Sequence, residues 1–372
     1  MSKNNICCIF NYAPHYRSAI YNLMDEELNC DFYFGDDVGS QITKMKVMEL
    51  TGFKKTLKRI QVTKWNYYWL KGSLIPIFKP YKYYITSGGS KYLNMWVLLL
   101  ISKFTKKKVI AWAHGMKGNE NGLAKRLNYL YYSLCDTVLL YGERSRDIMI
   151  KEGIDSKKLV CIYNSLDYDK QLKFRQNLGN TNIYKHHFGN DHPIIIYIGR
   201  LQKSKKLEIL ISILNKLLNN GVNCNLVFVG KDLGDNDLKS KVNEYGLSKF
   251  TWFYGPCYDE QKNSELLLNS NLCISPGPIG LTAIHAASYG VPIITNDDFS
   301  NQMPEFEIIA SGLNGDFFEK DNENDLYEKV KKWLLINNEK RSEAKIFSHS
   351  IIDEKYNPYY QIQVLKTVLN LE

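Results

Sequence analysis

Short apolar runs alternate along this chain with longer segments whose apolar residues recur at helical spacing. Runs at 5–10, 31–34, 83–86, 108–112, 137–141, 159–163, 194–198, 225–229, 250–253, 272–275 and 291–295 have the length and branched or aromatic content of buried strands. Between them, 16–28, 90–104, 121–134, 143–152, 205–219, 237–246, 260–268, 280–289 and 324–336 read as helices. Such alternation predicts an α/β fold of parallel sheets covered by helices on both faces. It lapses at 168–192, where a polar run from Gln176 to Asn182 and the pair His186-His187 intervene, and resumes with Ile194–Ile198. The lapse predicts a domain break, with one domain over 1–185 and a second over 186–350. The amphipathic stretch 351–372, carrying Tyr356, Tyr359, Tyr360, Val364 and Val368, predicts a closing helix.

Composition narrows the class. A chain of 372 residues that is 44% hydrophobic and 23% charged has ample apolar surface for two cores, which excludes a disordered or fibrous protein. Charge is unevenly placed. Residues 1–185 carry 29 Lys/Arg against 15 Asp/Glu, and residues 186–372 carry 19 against 24, so the halves stand at +14 and −5. The first domain is therefore expected to meet something anionic. Cysteines at 7, 8, 30, 135, 161, 224, 257 and 273 form no CxxC pair and lie mostly in apolar runs. They read as buried reduced thiols, with neither disulfide nor metal site expected. His186, His187 and His192 have no fixed ligand geometry, and Asp235-Asn236-Asp237 reads as a turn. No signal peptide is apparent and Met95–Ile101 is too short to span a bilayer, so a cytoplasmic protein is expected.

Two loops carry candidate chemistry. The strand Ile194–Ile198 runs into Gly199-Arg200-Leu201, with Lys205 just ahead of the next helix. Ligands of open parallel sheets bind beyond the carboxyl ends of strands. Glycine permits close approach there, and Arg200 and Lys205 offer positive charge to a diphosphate; solvated side chains on an ordinary turn are the plain alternative. The second loop is Pro276-Gly277-Pro278-Ile279-Gly280-Leu281-Thr282, after which a helix begins. Free N–H groups near Gly280 and Leu281, with the Thr282 hydroxyl, suit a phosphate. His285, five residues past Gly280, is placed to meet a ribose or sugar hydroxyl; a satisfied structural histidine is the plain alternative.

These landmarks, followed by Val229-Gly230, Phe253-Tyr254-Gly255, Tyr289-Gly290-Val291-Pro292, Pro304-Glu305 and Gly312-Leu313-Asn314-Gly315, resemble a family 4 type glycosyltransferase of GT-B architecture. Ala113-His114-Gly115 and Tyr163-Asn164-Ser165-Leu166-Asp167 add weaker matches in the first half. The resemblance implies two Rossmann-like domains facing each other across a cleft, with the last helix crossing back to the N-terminal domain. It implies that Arg200 and Lys205 bind the donor diphosphate, that Gly199, Gly280, Leu281 and Thr282 line it, and that His114 approaches the donor sugar. It also implies a nucleoside-diphosphate sugar as donor substrate, with no cofactor and no metal. The chain departs from the family's Glu-x7-Glu element, having Gly277 and His285 at those positions; Glu305 and Glu307 are the nearest carboxylates. A similar string in polysaccharide transferases implies a bacterial capsule or O-antigen subgroup.

The N-terminal half adds a partner. Eight Lys/Arg residues between Lys54 and Lys82 are interleaved with Trp65, Tyr67, Tyr68, Trp69, Phe78, Tyr81, Tyr83 and Tyr84, a composition suited to an anionic membrane surface. Leu74–Phe78 reads as an apolar tip; a helix and loop packed in the core is the alternative, and single-stranded nucleic acid lacks any recognisable module. Pro14-His15-Tyr16-Arg17, after the first strand, is expected to contact acceptor or phosphate. The expected activity is retaining transfer of a sugar to a glycan hydroxyl, lipid-linked, at the inner face of the cell membrane. Two rivals remain: a GT-B sugar-nucleotide 2-epimerase, and a non-catalytic sugar-nucleotide-binding subunit.

Overall fold

A computed structural model describes residues 5–36, 42–179 and 181–371. The chain divides into two units, Met1–Asp167 with Lys355–Glu372, and Tyr168–Glu354. The first is built on β1 (Ile6–Phe10), β2 (Asp31–Gly35), β3 (Phe53–Gln61), β4 (Tyr68–Lys71), β5 (Tyr83–Ser87), β6 (Lys108–Ala113), β7 (Thr137–Leu140) and β8 (Leu159–Cys161). Their order is β4-β3-β2-β1-β5-β6-β7-β8, parallel throughout except for the antiparallel β3–β4 pair. Helices α1 (Ser18–Leu28), α2 (Leu93–Lys103), α3 (Gly122–Leu134) and α4 (Glu143–Lys151) connect them. Central strands such as β1, Ile-Cys-Cys-Ile-Phe, are buried at every position, as parallel strands covered on both faces must be.

The second unit opens with α5 (Tyr168–Asn177) and α6 (Ile183–Phe188), then β9 (Ile194–Ile198), α7 (Glu208–Asn219), β10 (Asn225–Val229), α8 (Leu238–Glu244), β11 (Thr251–Gly255) and α9 (Glu260–Leu268). It continues with β12 (Leu272–Ser275), α10 (Thr282–Ser288), β13 (Ile293–Asn296), β14 (Gly315–Phe318), α11 (Glu323–Leu334) and α12 (Asn338–Glu354). The order β11-β10-β9-β12-β13-β14 is wholly parallel. Both units are thus Rossmann-like α/β sheets. The last helix, α13 (Pro358–Leu369), belongs to the first unit: Ile362, Leu365 and Leu369 share a core with Ile20, Tyr21, Met24 and Leu28.

Three expectations need correction. The break falls at Asp167/Tyr168 and not at 185/186, because α5 and α6 are tied into the second unit. Ser288 donates to Gln171 Oε1 at 3.0 Å, and the Tyr184 hydroxyl donates to the Leu266 carbonyl at 2.7 Å. Around the second tie His187 stacks on Trp252 with ring centroids 3.9 Å apart, a contact that nothing local in the sequence announces. The charge asymmetry survives this boundary, at +12 (27 Lys/Arg, 15 Asp/Glu) for the first unit and −3 (21 against 24) for the second. The stretch 351–372 is two elements: α12 ends at Glu354, and α13 restarts with the Asn357 side chain accepting from the Tyr360 N–H and Pro358 in the first turn. Residues 53–71 form the β3–β4 edge, since β3 buries fully only Leu57 and its charged positions mask the strand pattern.

No helix among the described residues is long and apolar enough to cross a membrane. The eight cysteines are free thiols, all buried except the half-buried Cys257.

Candidate active site

In the second unit, chain order reverses between β9 and β12, so the loops leaving these neighbours diverge and open a crevice at their carboxyl ends. The loop after β9 is pinned by glycines. Gly199 has φ +150, and a Cβ there would come 2.9 Å from the Tyr197 hydroxyl. Gly230, after β10, has φ +156, and its Cβ would fall 1.7 Å from the Gly199 carbonyl. Two backbones therefore meet where only glycine fits. The Tyr197 hydroxyl donates to the Arg200 carbonyl at 2.9 Å, and the Asp235 carboxylate accepts from the Lys203 N–H at 2.9 Å. These contacts shape the turn that ends in Lys205, and the Asp235 carboxylate belongs to that scaffold. Arg200 itself is exposed.

The facing loop, between β12 and α10, turns its carbonyls inward. Asn296 Nδ2 donates to the Pro276 carbonyl at 2.6 Å, and Thr295 Oγ1 lies 2.8 Å from the Ser275 carbonyl and 3.2 Å from that of Gly277. Buried Gln302 accepts from the Ile279 N–H at 2.9 Å while its amide donates to Thr295 Oγ1 and the Asn296 carbonyl. With these carbonyls committed, the N–H groups of Gly280, Leu281 and Thr282 have no hydrogen-bond partner among the described residues. The Thr282 side chain departs from expectation. Its hydroxyl donates to the Ile198 carbonyl at 2.6 Å, clamping α10 to the end of β9, so its proton is already committed.

Lys205 joins the two loops. Its ammonium donates to the Pro278 carbonyl. Burial and then the Arg200 charge push its pKa down to about 8, while Glu305, only 1% exposed, pulls it up. Two cations converge with one buried carboxylate nearby. Gly277 is a packing requirement, since a Cβ there would lie 2.5 Å from the Ser204 carbonyl oxygen and 2.7 Å from Lys205 Cα.

His285, on α10, approaches the start of α9. Its Nδ1 lies 3.9 Å from Glu260 Oε1, an oxygen that also accepts from the Tyr289 hydroxyl at 2.7 Å. Nδ1 is buried and makes no hydrogen bond.

Residues 180–347, which hold all of these elements, match the protein family described as glycosyl transferases group 1. That match covers most of the second unit. An uncharacterised 41.2 kDa protein in the cps region of Klebsiella pneumoniae is 22% identical over 57% of this chain and 57% of its own length. The chain's matches span just over half the length of the curated relatives, 57% and 51%. Among solved structures, Anabaena HepE in complex with UDP superposes with a TM-score of 0.73 at 13% identity, over 98% of this chain and 100% of that one. The lipopolysaccharide outer core galactosyltransferase WaaB gives 0.64 at 14%, over 99% of both.

Within the second unit, the structure brings Gly199, Arg200, Lys205, Gly280, Leu281, Thr282 and Glu305 to one crevice and sets His285 beside Glu260. Gln302 and Glu260 escaped sequence reasoning, and Gly230 stood out only as a landmark, because their roles depend on loops distant in the chain. His114 lies in the first unit, after β6, its ring centroid 4.8 Å from that of Tyr141. Surrounding protein, then the Lys117 and Arg17 charges, push its pKa down to about 4. The residue is exposed, so the two cations carry the direction, and the imidazole is neutral at pH 7. Among the described residues no group of three or more His, Cys, Asp or Glu is arranged to hold a metal ion.

Proposed function

We propose that this protein transfers a sugar from a nucleoside-diphosphate sugar to a hydroxyl of a growing surface glycan carried on a lipid. The observation that carries the reading is the crevice between β9 and β12, where Arg200, Lys205 and three uncommitted N–H groups converge. That is a receptor for a diphosphate, and one that strengthens as the leaving group gains charge in the transition state. The family of the domain and the UDP bound to HepE support a nucleotide-sugar donor, and the cps-region relative supports polysaccharide synthesis.

The chemistry follows. The bond from the anomeric carbon to the diphosphate oxygen breaks as the acceptor oxygen bonds to the same face of that carbon. The acceptor's proton passes to the departing phosphate oxygen, so configuration is retained and no side-chain base is needed. Arg200, Lys205 and the N–H groups of Gly280, Leu281 and Thr282 hold the diphosphate, which makes the step independent of a metal. His285 takes the ribose, Glu305 orients Lys205, and His114, being neutral, can hydrogen-bond the donor sugar without repelling developing positive charge.

The deciding experiment incubates the full chain with UDP-, GDP-, CMP- and dTDP-sugars, with and without lipid-linked glycan extracts, and follows products by mass and anomeric coupling. Transfer in wild type that is lost in Arg200→Ala and Lys205→Ala, with folding intact, is expected. Interconversion of free donor without acceptor would make it an epimerase. Donor binding with neither transfer nor hydrolysis would make it a binding subunit.

A further inference from the structure

His285 stands where the Glu-x7-Glu pattern has its second glutamate, and the two side chains do not offer a ligand the same chemistry. A carboxylate only accepts hydrogen bonds. A neutral imidazole donates at one nitrogen and accepts at the other, and what faces one nitrogen decides what the other presents. The backbone N–H of His285 bonds the Leu281 carbonyl at 3.0 Å, so the residue lies one turn along α10 from the uncommitted N–H groups of the crevice. In its ring, Nδ1 is sealed from solvent and Nε2 is not.

Glu260 faces the sealed nitrogen. Asp259, the residue before it, caps α9 by accepting from the N–H groups of Gln261 and Lys262 at 2.8 and 3.2 Å. The Glu260 carboxylate is thereby left to turn toward α10. Its Oε1 accepts from the Tyr289 hydroxyl at 2.7 Å and stands 3.9 Å from His285 Nδ1. That separation is too long for a hydrogen bond, yet the two side chains are only 19% and 21% exposed, so the charge acts on the ring with little screening. The Tyr289 proton is committed to Glu260, and nothing among the described residues donates to Nδ1. A lone pair at Nδ1 would face the carboxylate and be repelled by it, whereas an N–H there is attracted. The carboxylate thus selects the Nδ1–H tautomer, although histidine in water prefers Nε2–H, and Nε2 keeps its lone pair.

We propose that Glu260 is a positioning residue: it holds His285 as the Nδ1–H tautomer, so that Nε2 accepts a hydrogen bond from a ribose hydroxyl of the donor nucleotide. Two residues from different helices then reproduce the acceptor polarity of one glutamate. The identity of the hydroxyl rests on the glycosyl-transfer reading, whereas the tautomer does not. Tyr289 serves the arrangement by fixing Glu260 Oε1 in place.

Long-range nitrogen–proton NMR of the full chain, labelled with 15N-histidine and held at about pH 8, above the ordinary imidazole range, reads the tautomer directly. The signal is identified by its loss in His285→Gln. Wild type is expected to carry the proton on Nδ1. Glu260→Gln, whose amide oxygen still accepts, should keep it there, and Glu260→Leu should move it to Nε2, which a merely structural role would not do. Should Glu260→Leu not fold, Glu260→Ala replaces it. Binding reads the consequence, with UDP as probe, or GDP where UDP does not bind. The 2′,3′-dideoxy analogue should bind wild type about tenfold more weakly than the parent, and Glu260→Leu, with its ring no longer oriented, should discriminate by less than about threefold. A general loss of structure would weaken both ligands alike and leave that ratio unchanged. A wild-type ring protonated at Nε2 or at both nitrogens, or a proton that stays on Nδ1 in Glu260→Leu, overturns the proposal. An unchanged ratio in Glu260→Leu overturns the link to ribose. A wild type with Nδ1–H that binds neither nucleotide removes the ribose role together with the donor reading, whereas a nucleotide-binding wild type with Nε2–H removes this proposal alone.

Discussion

Gly277 and Lys205 are packed backbone to backbone: a Cβ on Gly277 would stand 2.7 Å from Lys205 Cα. The missing glutamate is therefore not a hole in the site, since the turn that carries Lys205 occupies its space. Gly277→Ala is expected to push this turn away and cost about 1–3 kcal/mol, the range for overpacking, in urea unfolding. UDP affinity should fall with it. Gly277→Glu, which restores the residue at the first position of the family's pair, should do worse on both measures. Gain of donor affinity in Gly277→Glu would show that a carboxylate is wanted there after all.

Lys205 gives the site a pH signature. Its pKa in the folded chain, about 8, lies below its ordinary value of 10.5, so between those pH values the unfolded chain binds more protons at this position. The group's contribution to stability is accordingly flat and unfavourable below pH 8 and rises with pH across that window. Binding has the opposite sign. A diphosphate favours the charged ammonium, so UDP affinity should be greatest below pH 8 and fall by up to about tenfold per pH unit above it. Calorimetric titration from pH 7 to 9.5 measures this. Lys205→Arg should bind with no slope in that range, and an equal slope in that variant would exclude Lys205 as its source.

Thr282 separates scaffold from ligand contact. Its hydroxyl donates to the Ile198 carbonyl at 2.6 Å and is buried. Thr282→Val keeps the shape and leaves that carbonyl without a partner, at a cost of about 1–3 kcal/mol. Thr282→Ser should keep the bond and most of the stability. UDP affinity in Thr282→Val should follow the displacement of α10 and fall with stability. Loss of UDP binding with unchanged unfolding free energy would instead make the hydroxyl a direct phosphate ligand.

The strand–helix alternation made much of this legible before the structure. Ile194–Ile198 and Asn225–Val229 are buried at every position and stand out as apolar runs, and the crevice follows from where they end. The loop residues Gly199, Arg200, Lys205 and Gly280 could be picked out because a strand end and a helix start bracket them. What escaped depends on distance along the chain. Gln302 reaches Ile279 across 23 residues, and Thr282 reaches Ile198 across 84, and nothing local encodes either partner. Edge strands escaped for another reason: Phe53–Gln61 is held by main-chain pairing to β2 and β4 while its side chains face water, so no apolar alternation marks it.

Membrane contact should localise to one edge of the first unit. Tyr81, Tyr83 and Tyr84, which read as interfacial aromatics, are core residues, with the Tyr81 hydroxyl donating to Asp31. The most exposed aromatics of this unit among the described residues are Trp65, 80% exposed beside the β3–β4 connection, Phe78 at 88%, and Phe104 at 89%. The Lys107 ammonium, three residues past Phe104, donates to the carbonyls of Lys79 at 2.9 Å and Tyr81 at 3.2 Å, which ties the segment after Phe104 to the one after Phe78. Lys79, Lys82, Lys103 and Lys106 surround these turns along the chain, so apolar rings and cations occur together as an anionic interface requires. Phe78→Ser with Phe104→Ser is expected to reduce sedimentation with phosphatidylglycerol vesicles by at least about tenfold, from the apolar area two rings would insert. Trp65→Ser alone should have a smaller effect, and phosphatidylcholine vesicles should bind weakly throughout. Equal sedimentation of the double variant and wild type, or binding indifferent to lipid charge, would remove this edge from the membrane.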